Sequence, residues 1–123
     1  MGKTILIKIG GNALGEADTT IEDLVWLQKQ GHLPIVVHGG GSVVTKWLER
    51  VQVPTRFADG LRVTDEDAID VVVAVLAGLV NKRLVSSINA CGGRAMGMSG
   101  ADGPIAYARI KNEAPGLVGE LEH

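Results

Sequence analysis

The sequence predicts an α/β fold, a three-layer αβα sandwich around a mainly parallel sheet. Strand-like apolar runs alternate with stretches that carry apolar residues at helical spacing. The strands are continuous apolar runs without a polar alternation, which is the pattern of a parallel sheet covered on both faces. Three such runs each end in a glycine-rich loop, and in sheets of this kind ligands gather beyond the carboxyl ends of the strands. With 123 residues and 46% hydrophobic content, the chain is the size of one domain. A domain of that size buries roughly two-thirds of the surface of its unfolded form.

The elements follow in order. Thr4 to Ile9 is rich in β-branched residues and stops at Gly10-Gly11, as a short buried strand does. A loop runs through Gly15. Thr19 or Thr20 then caps a helix carrying Ile21, Leu24, Val25 and Leu27, closed by Gly31. Leu33 to Val37 is a second strand, ending at His38-Gly39-Gly40-Gly41. Ser42 opens a helix with Val43, Val44, Trp47 and Leu48 on one side. Pro54 and Asp59-Gly60 mark turns, with a hairpin between Gln52 and Val63. Thr64 and Asp67 form a capping-box pattern before the longest helix, from about Asp65 to about Ala90. Gly92-Gly93 ends it. Arg94 to Met98 is a third strand, followed by Ser99-Gly100-Ala101-Asp102-Gly103. Ile105 to Ile110 reads as an edge strand or hairpin arm.

Composition removes several classes of function. The formal net charge is −2, with charges spread along the chain, so no basic footprint points to nucleic acid. The one cysteine, Cys91, excludes a disulfide framework and reads as a small buried hydrophobe. No secretory signal pattern opens the chain. The longest nearly uncharged run, Val71 to Val80, falls well short of the ~20 residues that span a bilayer. A soluble, cytoplasmic protein with no membrane partner is the expectation. The helix from Ile69 to Val80 is apolar nearly all round, which predicts burial in the core or against a second copy, as a homodimer. The ending Leu121-Glu122-His123 resembles the first residues of a vector-encoded histidine tag.

The candidate chemistry lies in the loops. The three glycines of His38-Gly39-Gly40-Gly41-Ser42 let a ligand approach bare backbone, and the helix behind them presents unpaired N–H groups to an anion. The spacing is neither a Walker loop nor a dinucleotide fingerprint. Lys8 lies two residues before Gly10-Gly11. Strand alternation can send it to solvent, but an ammonium beside glycine loops also suits charge on a transferring phosphoryl group. Arg62, after Gly60-Leu61, is either an ordinary surface arginine or a planar fork for a carboxylate. Asp102 favours a turn role. Asn81-Lys82 reads as a solvated break in the apolar helix, and His38 as a group able to orient its loop. No His/Cys/Asp/Glu spacing forms a protein-only metal cage.

Taken in order, Lys8-Ile9-Gly10-Gly11-Asn12-Ala13, His38-Gly39-Gly40-Gly41, Asp59-Gly60-Leu61-Arg62-Val63-Thr64, Gly78-Leu79-Val80-Asn81-Lys82 and Ser99-Gly100-Ala101-Asp102-Gly103 resemble the N-terminal half of the N-acetylglutamate kinases, in the amino-acid kinase family. The resemblance runs from Thr4 to about Glu120. The first loop is shared with carbamate kinases and is moderately specific; the Gly60–Thr64 segment placed after the histidine-glycine loop is much more so. The resemblance implies a carbamate kinase-like sandwich of which only the N-terminal half is here: residues 1–120 as an acyl-substrate-binding and dimerisation domain, 121–123 as a tail, and no C-terminal ATP-binding domain. The activity it implies is phosphorylation of the γ-carboxylate of N-acetyl-L-glutamate by MgATP, in arginine biosynthesis.

By the same resemblance Lys8 is catalytic, stabilising the transferring phosphoryl group. Gly10, Gly11 and Gly39 line the phosphate passage, Gly40 and Gly41 offer amides to the acyl substrate, and Arg62 grips its α-carboxylate. The family's second lysine, organising aspartate, further substrate asparagine and adenine pocket belong to the other half, so this chain alone is expected to be inactive. With its first strand at about Thr4, it resembles the dimeric, arginine-insensitive members. Two alternatives remain at this stage: a kinase of carrier-protein-bound aminoadipate in lysine biosynthesis, and a non-catalytic ligand-binding or dimerisation module.

Overall fold

The computed structural model describes residues 2–10, 18–103, 105–110 and 116–122. Gly11, Asn12 and Ala13 of the first glycine loop lie outside the described residues, as does His123. The elements are β1 (Thr4–Ile9), α1 (Thr20–Lys29), β2 (Leu33–His38), α2 (Gly41–Arg50), β3 (Arg56–Ala58), β4 (Leu61–Val63), α3 (Glu66–Val73), a π-helical segment (Ala74–Val80), α4 (Asn81–Ala90), β5 (Ala108–Ile110) and β6 (Gly119–Leu121).

β1 and β2 pair in parallel, Thr4 beside Leu33 through Ile9 beside His38. Ile7, Ile9 and Val36 turn to one face and pack with Leu24 and Val25 of α1 and Leu84 and Ile88 of α4. A second cluster forms away from the sheet, where Val44 and Leu48 of α2 meet Ala68 and Val75. Among the described residues Val44 and Leu48 are the most deeply buried side chains, each 1% exposed. Truncating a leucine at such a site costs about 2–5 kcal/mol.

The α/β class and the parallel sheet are as predicted. Of the three layers, the described residues supply the sheet and the helices on one face. The opposite face shows Leu6, Leu33, Ile35 and Val37 to solvent, each about half exposed or more. This is why both strands read as continuous apolar runs: each carries large aliphatic side chains on its two faces.

The helix from Glu66 to Ala90 is continuous, 25 residues, with the hydrogen bonding loosened to a π turn over Ala74–Val80. By length and composition alone it suffices to cross a bilayer. Here it contributes to both clusters, with Ala68 and Val75 in one and Leu84 and Ile88 in the other. Gly31 and Gly92, both at φ +83°, close α1 and α4 as predicted. The hairpin also forms, with Arg56, Phe57 and Ala58 opposite Val63, Arg62 and Leu61. Asp59 and Gly60 take positive φ in its turn, the geometry that Asp-Gly favours.

Several details differ from expectation. The cap of α3 is Asp65, whose Oδ1 accepts from the Ala68 N–H at 3.0 Å; Thr64 is instead buried and bridged to Gly116. In α1 the Thr19 side chain caps nothing, and Asp18 Oδ1 accepts from the Thr20 N–H at 2.8 Å. Cys91 is exposed; it falls one residue past the end of α4, in the turn that follows. Arg94–Met98 alternates in exposure as an extended run does, but among the described residues it pairs with no strand. Side chains stand in for a neighbouring strand: Gln28 bonds both the N–H and the C=O of Arg94, at 2.8 Å each. Asn89 accepts from the Ala95 N–H, and Lys82 donates to the Gly97 carbonyl. The expected arm at the end of the chain is present as an antiparallel pair, β5 with β6.

After the extended run, Asp102 makes a turn with Ser99. The Ser99 N–H and hydroxyl donate to Asp102 Oδ2 at 2.6 and 2.9 Å, and the Asp102 N–H donates back to the Ser99 carbonyl. The Ser99 N–H, then its hydroxyl, hold the Asp102 carboxyl below the usual carboxylate range, with Lys82 adding to the effect and desolvation opposing it. A folded value below the unfolded one means that this contribution is in place above the usual range and is lost as pH falls through the lowered value. In an NMR titration Asp102 should turn over at lower pH than an ordinary aspartate, and Ser99→Ala should move that midpoint up. A midpoint unmoved by the substitution would remove the Ser99 hydroxyl as a cause and leave its N–H.

Candidate functional site

Parallel pairing brings the carboxyl ends of β1 and β2 to one rim. The Gly39 N–H donates to the Ile9 carbonyl at 3.3 Å, so the chain at Gly10 and the loop Gly39–Gly41 lie side by side. The second loop passes straight into α2, which begins at Gly41. Its first-turn amides therefore face the rim, with the partial positive end of the helix behind them. Gly40 is buried at φ +156°, and a side chain there would meet Leu76 at 2.9 Å and Val80 at 3.1 Å. The π-helical segment thus packs directly on the loop's backbone, and glycine is what lets it do so.

The β3–β4 hairpin folds Arg62 back onto this turn. Its Nη2 donates to the Gly41 carbonyl at 3.1 Å and to the Thr45 hydroxyl at 2.7 Å. Thr45 in turn donates to the Gly41 carbonyl at 3.0 Å. The guanidinium lies over the Phe57 ring, 4.9 Å from its centroid, because Phe57 and Arg62 are direct cross-strand neighbours. Arg62 is therefore held on three sides. Its Nη1 is buried and, among the described residues, has no hydrogen-bond partner. A charged donor left so costs more than an ordinary unmade hydrogen bond, and a carboxylate oxygen is the acceptor that suits it.

Lys8 is on the other side of β1 from Ile9, on the sheet face that no described helix covers. It is exposed, and among the described residues it has no hydrogen-bond or ion-pair partner. Its backbone is level with Val37, one residue below the rim. The structure thus gathers Gly10, Gly39, Gly40, Gly41 and Arg62, with Lys8 beside them on the open face. Asp102 belongs to its own turn. Gly11 lies outside the described residues.

Sequence reasoning missed three members of this neighbourhood. Thr45 and Phe57 fix Arg62, and Asn81 is 6% exposed with its Nδ2 3.0 Å from His38 Nε2. Asn81 is thus no solvated break. The available signal was an amide directly after the apolar run Val71–Val80, on a helix whose neighbouring turns are buried. A cavity of about 810 Å³ lies elsewhere, between β2, Arg94–Met98 and the helices beneath. Its lining is mainly apolar and includes none of Lys8, Gly40, Gly41 or Arg62.

The site can be compared with known proteins on this basis. Residues 3–123 match the model of the amino acid kinase family. The chain is 46% identical to the acetylglutamate kinase of Prochlorococcus marinus (strain MIT 9303), over 98% of this chain and 40% of that protein. It is 47% identical to that of Synechococcus sp. (strain CC9605), over 98% and 42%. The crystal structure of smu.665 from Streptococcus mutans UA159 superposes with a TM-score of 0.86 at 30% identity, over 98% of this chain and 50% of that one. The chain thus spans about two-fifths of the length of these curated relatives. The parallel strands with their glycine turns, the arginine docked on α2 and a family match over nearly every residue place this chain in the amino acid kinase family.

Proposed function

We propose that this chain is the acyl-substrate half of an acetylglutamate kinase, the enzyme that transfers the γ-phosphoryl group of MgATP to the γ-carboxylate of N-acetyl-L-glutamate. The observation that carries the reading is Arg62: a guanidinium fixed on the first turn of α2 whose buried Nη1 lacks an acceptor. An amino-acid α-carboxylate suits that donor once the side chains covering Nη1 move aside, and the adjoining glycine amides supply donors for the rest of an anionic acyl group. The names of the relatives favour acetylglutamate over carrier-bound aminoadipate.

In the reaction a γ-carboxylate oxygen attacks the terminal phosphorus, the bond to the ADP oxygen breaks, and an acyl phosphate and ADP result. Negative charge gathers on the equatorial oxygens, where positioned cations and amides act most strongly. Of this chain's groups, Arg62 and the amides of Gly40 and Gly41 would orient the acyl substrate. Lys8 would reach over the open sheet face to the transferring group, and the backbone at Gly10 and Gly39 would flank it. MgATP is a co-substrate here, and the adenine and the other catalytic cations would be held by residues outside this chain.

Calorimetry tests the reading directly. N-acetyl-L-glutamate should bind, and Arg62→Ala should weaken binding by about 10- to 100-fold, as loss of a charge-assisted bond does. Arg62→Lys should recover little, since an ammonium cannot reproduce the planar fork. Wild-type chain that ignores N-acetylglutamate, or an Ala variant that binds it equally well, sinks the proposal.

Phosphoryl transfer needs several charges placed together. The chain alone, given MgATP and N-acetylglutamate, should therefore yield no hydroxamate-trappable acyl phosphate above a blank. Product above the blank would show that this half is catalytic unaided.

A homodimer is the proposed assembly. Of the helix residues from Ile69 to Val80, Val75 alone is buried, and Val73 is 55% exposed. An apolar helix face of this kind calls for a partner surface. Light scattering behind a sizing column should give twice the chain mass of 12.9 kDa, and Val73→Lys should lower it. A monomer at micromolar concentration rejects the dimer.

A further inference from the structure

We infer that Lys82, Asn81 and His38 form a one-way hydrogen-bond relay that fixes the direction of the Gly39–Gly40 peptide, which makes Asn81 and His38 positioning residues for the Gly40 amide. Four distances define it. Lys82 Nζ is 2.9 Å from Asn81 Oδ1 and 3.0 Å from the Gly97 carbonyl. Asn81 Nδ2 is 3.0 Å from His38 Nε2. His38 Nδ1 is 3.0 Å from the Gly39 carbonyl.

The two ends decide the middle. An ammonium only donates and a carbonyl only accepts. The amide atom facing Lys82 must therefore be the oxygen of Asn81, which leaves its NH₂ for His38. His38 Nε2 must accept, and the ring proton must sit on Nδ1, where it is donated to Gly39. Turning the Asn81 amide over would set its NH₂ against the ammonium, so Lys82 holds the sense of the whole chain. Asn81 is buried, and Gly97 leaves it room: a side chain at Gly97 would lie 1.8 Å from Asn81 Oδ1.

Such a device answers a need. Three successive glycines leave peptide planes free to turn, because no Cβ restricts them. In a trans peptide the C=O and N–H point in opposite directions. Holding the Gly39 carbonyl toward His38 and α4 thus turns the Gly40 N–H away from the helix, toward the open side of the rim. Among the described residues that N–H makes no hydrogen bond. It is a donor aimed by its neighbours and left for a ligand.

The identity of that ligand rests on the acetylglutamate reading; the relay does not. Long-range nitrogen–proton correlation of the unliganded chain should show His38 as the Nδ1–H tautomer. Asn81→Leu, close in size, should shift His38 toward Nε2–H and move the Gly40 amide resonance. It should also lower N-acetylglutamate affinity by about tenfold, the effect of one mispositioned hydrogen bond. Lys82→Met, at an exposed position, should give mixed tautomers, and Lys82→Arg should restore the wild-type pattern. Arg62→Ala should weaken ligand binding by about the same 10- to 100-fold and leave the tautomer untouched. If Asn81→Leu fails to fold, the Lys82 pair decides the matter. A wild-type Nε2–H tautomer, or an Nδ1–H pattern unchanged by Asn81→Leu and Lys82→Met, overturns the relay. Wild-type chain that does not bind N-acetylglutamate overturns the ligand reading instead, while the unliganded spectra still judge the relay.

Discussion

The site depends on the parallel register between β1 and β2. Because the two strands run the same way, both must release their chains at one edge, and the bond from the Gly39 N–H to the Ile9 carbonyl ties those exits together. An antiparallel pair with the same residues would have sent Gly10 and Gly39 to opposite ends of the sheet. From that one constraint the rest follows locally. α2 starts at once after the second exit, the hairpin lays Arg62 on its first turn, and the long helix passes beneath with Leu76, Val80 and Asn81 against the loop.

Packing reinforces this arrangement unevenly. One cluster joins the sheet to α1 and α4, and a separate one joins α2 to α3 and the π-helical segment. The helix from Glu66 to Ala90 enters both, so it links the sheet that carries the loops to the helix that receives Arg62. The π turn lies at the junction of the two clusters, where the helical phase has to change to keep apolar residues facing each in turn. The other sheet face, with Leu6, Ile35 and Val37 in the open, contributes nothing to either cluster.

Sequence legibility follows the range of the interaction. β1 and β2 are legible because β-branched runs and glycine stops are local signals, and the hairpin because Asp59-Gly60 favours the positive φ that its turn takes. Helix ends at Gly31 and Gly92 are legible for the same reason. Arg94–Met98 has a strand's residues but lacks a strand's partner, and pairing is not a property of the segment itself. The cap falls on Asp65 where Thr64 fits the pattern equally well, since Thr64 is drawn off by the distant Gly116. At the site, Gly40, Gly41 and Arg62 stand out by residue type and position. Asn81 does not, because what gives it meaning is a histidine on β2 brought near only by the fold.

The two cations of the rim differ in a way that bears on how the chemistry divides. Arg62 is held by two acceptors and an aromatic ring before any ligand arrives, so little ordering remains to be done when a carboxylate binds. Lys8 extends from an uncovered face with no described partner, and a flexible ammonium of that kind stabilises charge well only after something fixes it. On the proposed reading, recognition of the acyl substrate is preorganised within this chain, whereas stabilisation of the transferring phosphoryl group waits on groups that would immobilise Lys8. Binding and turnover should then separate: the same molecule can hold the carboxylate firmly and still leave the reacting phosphate without a settled counter-charge.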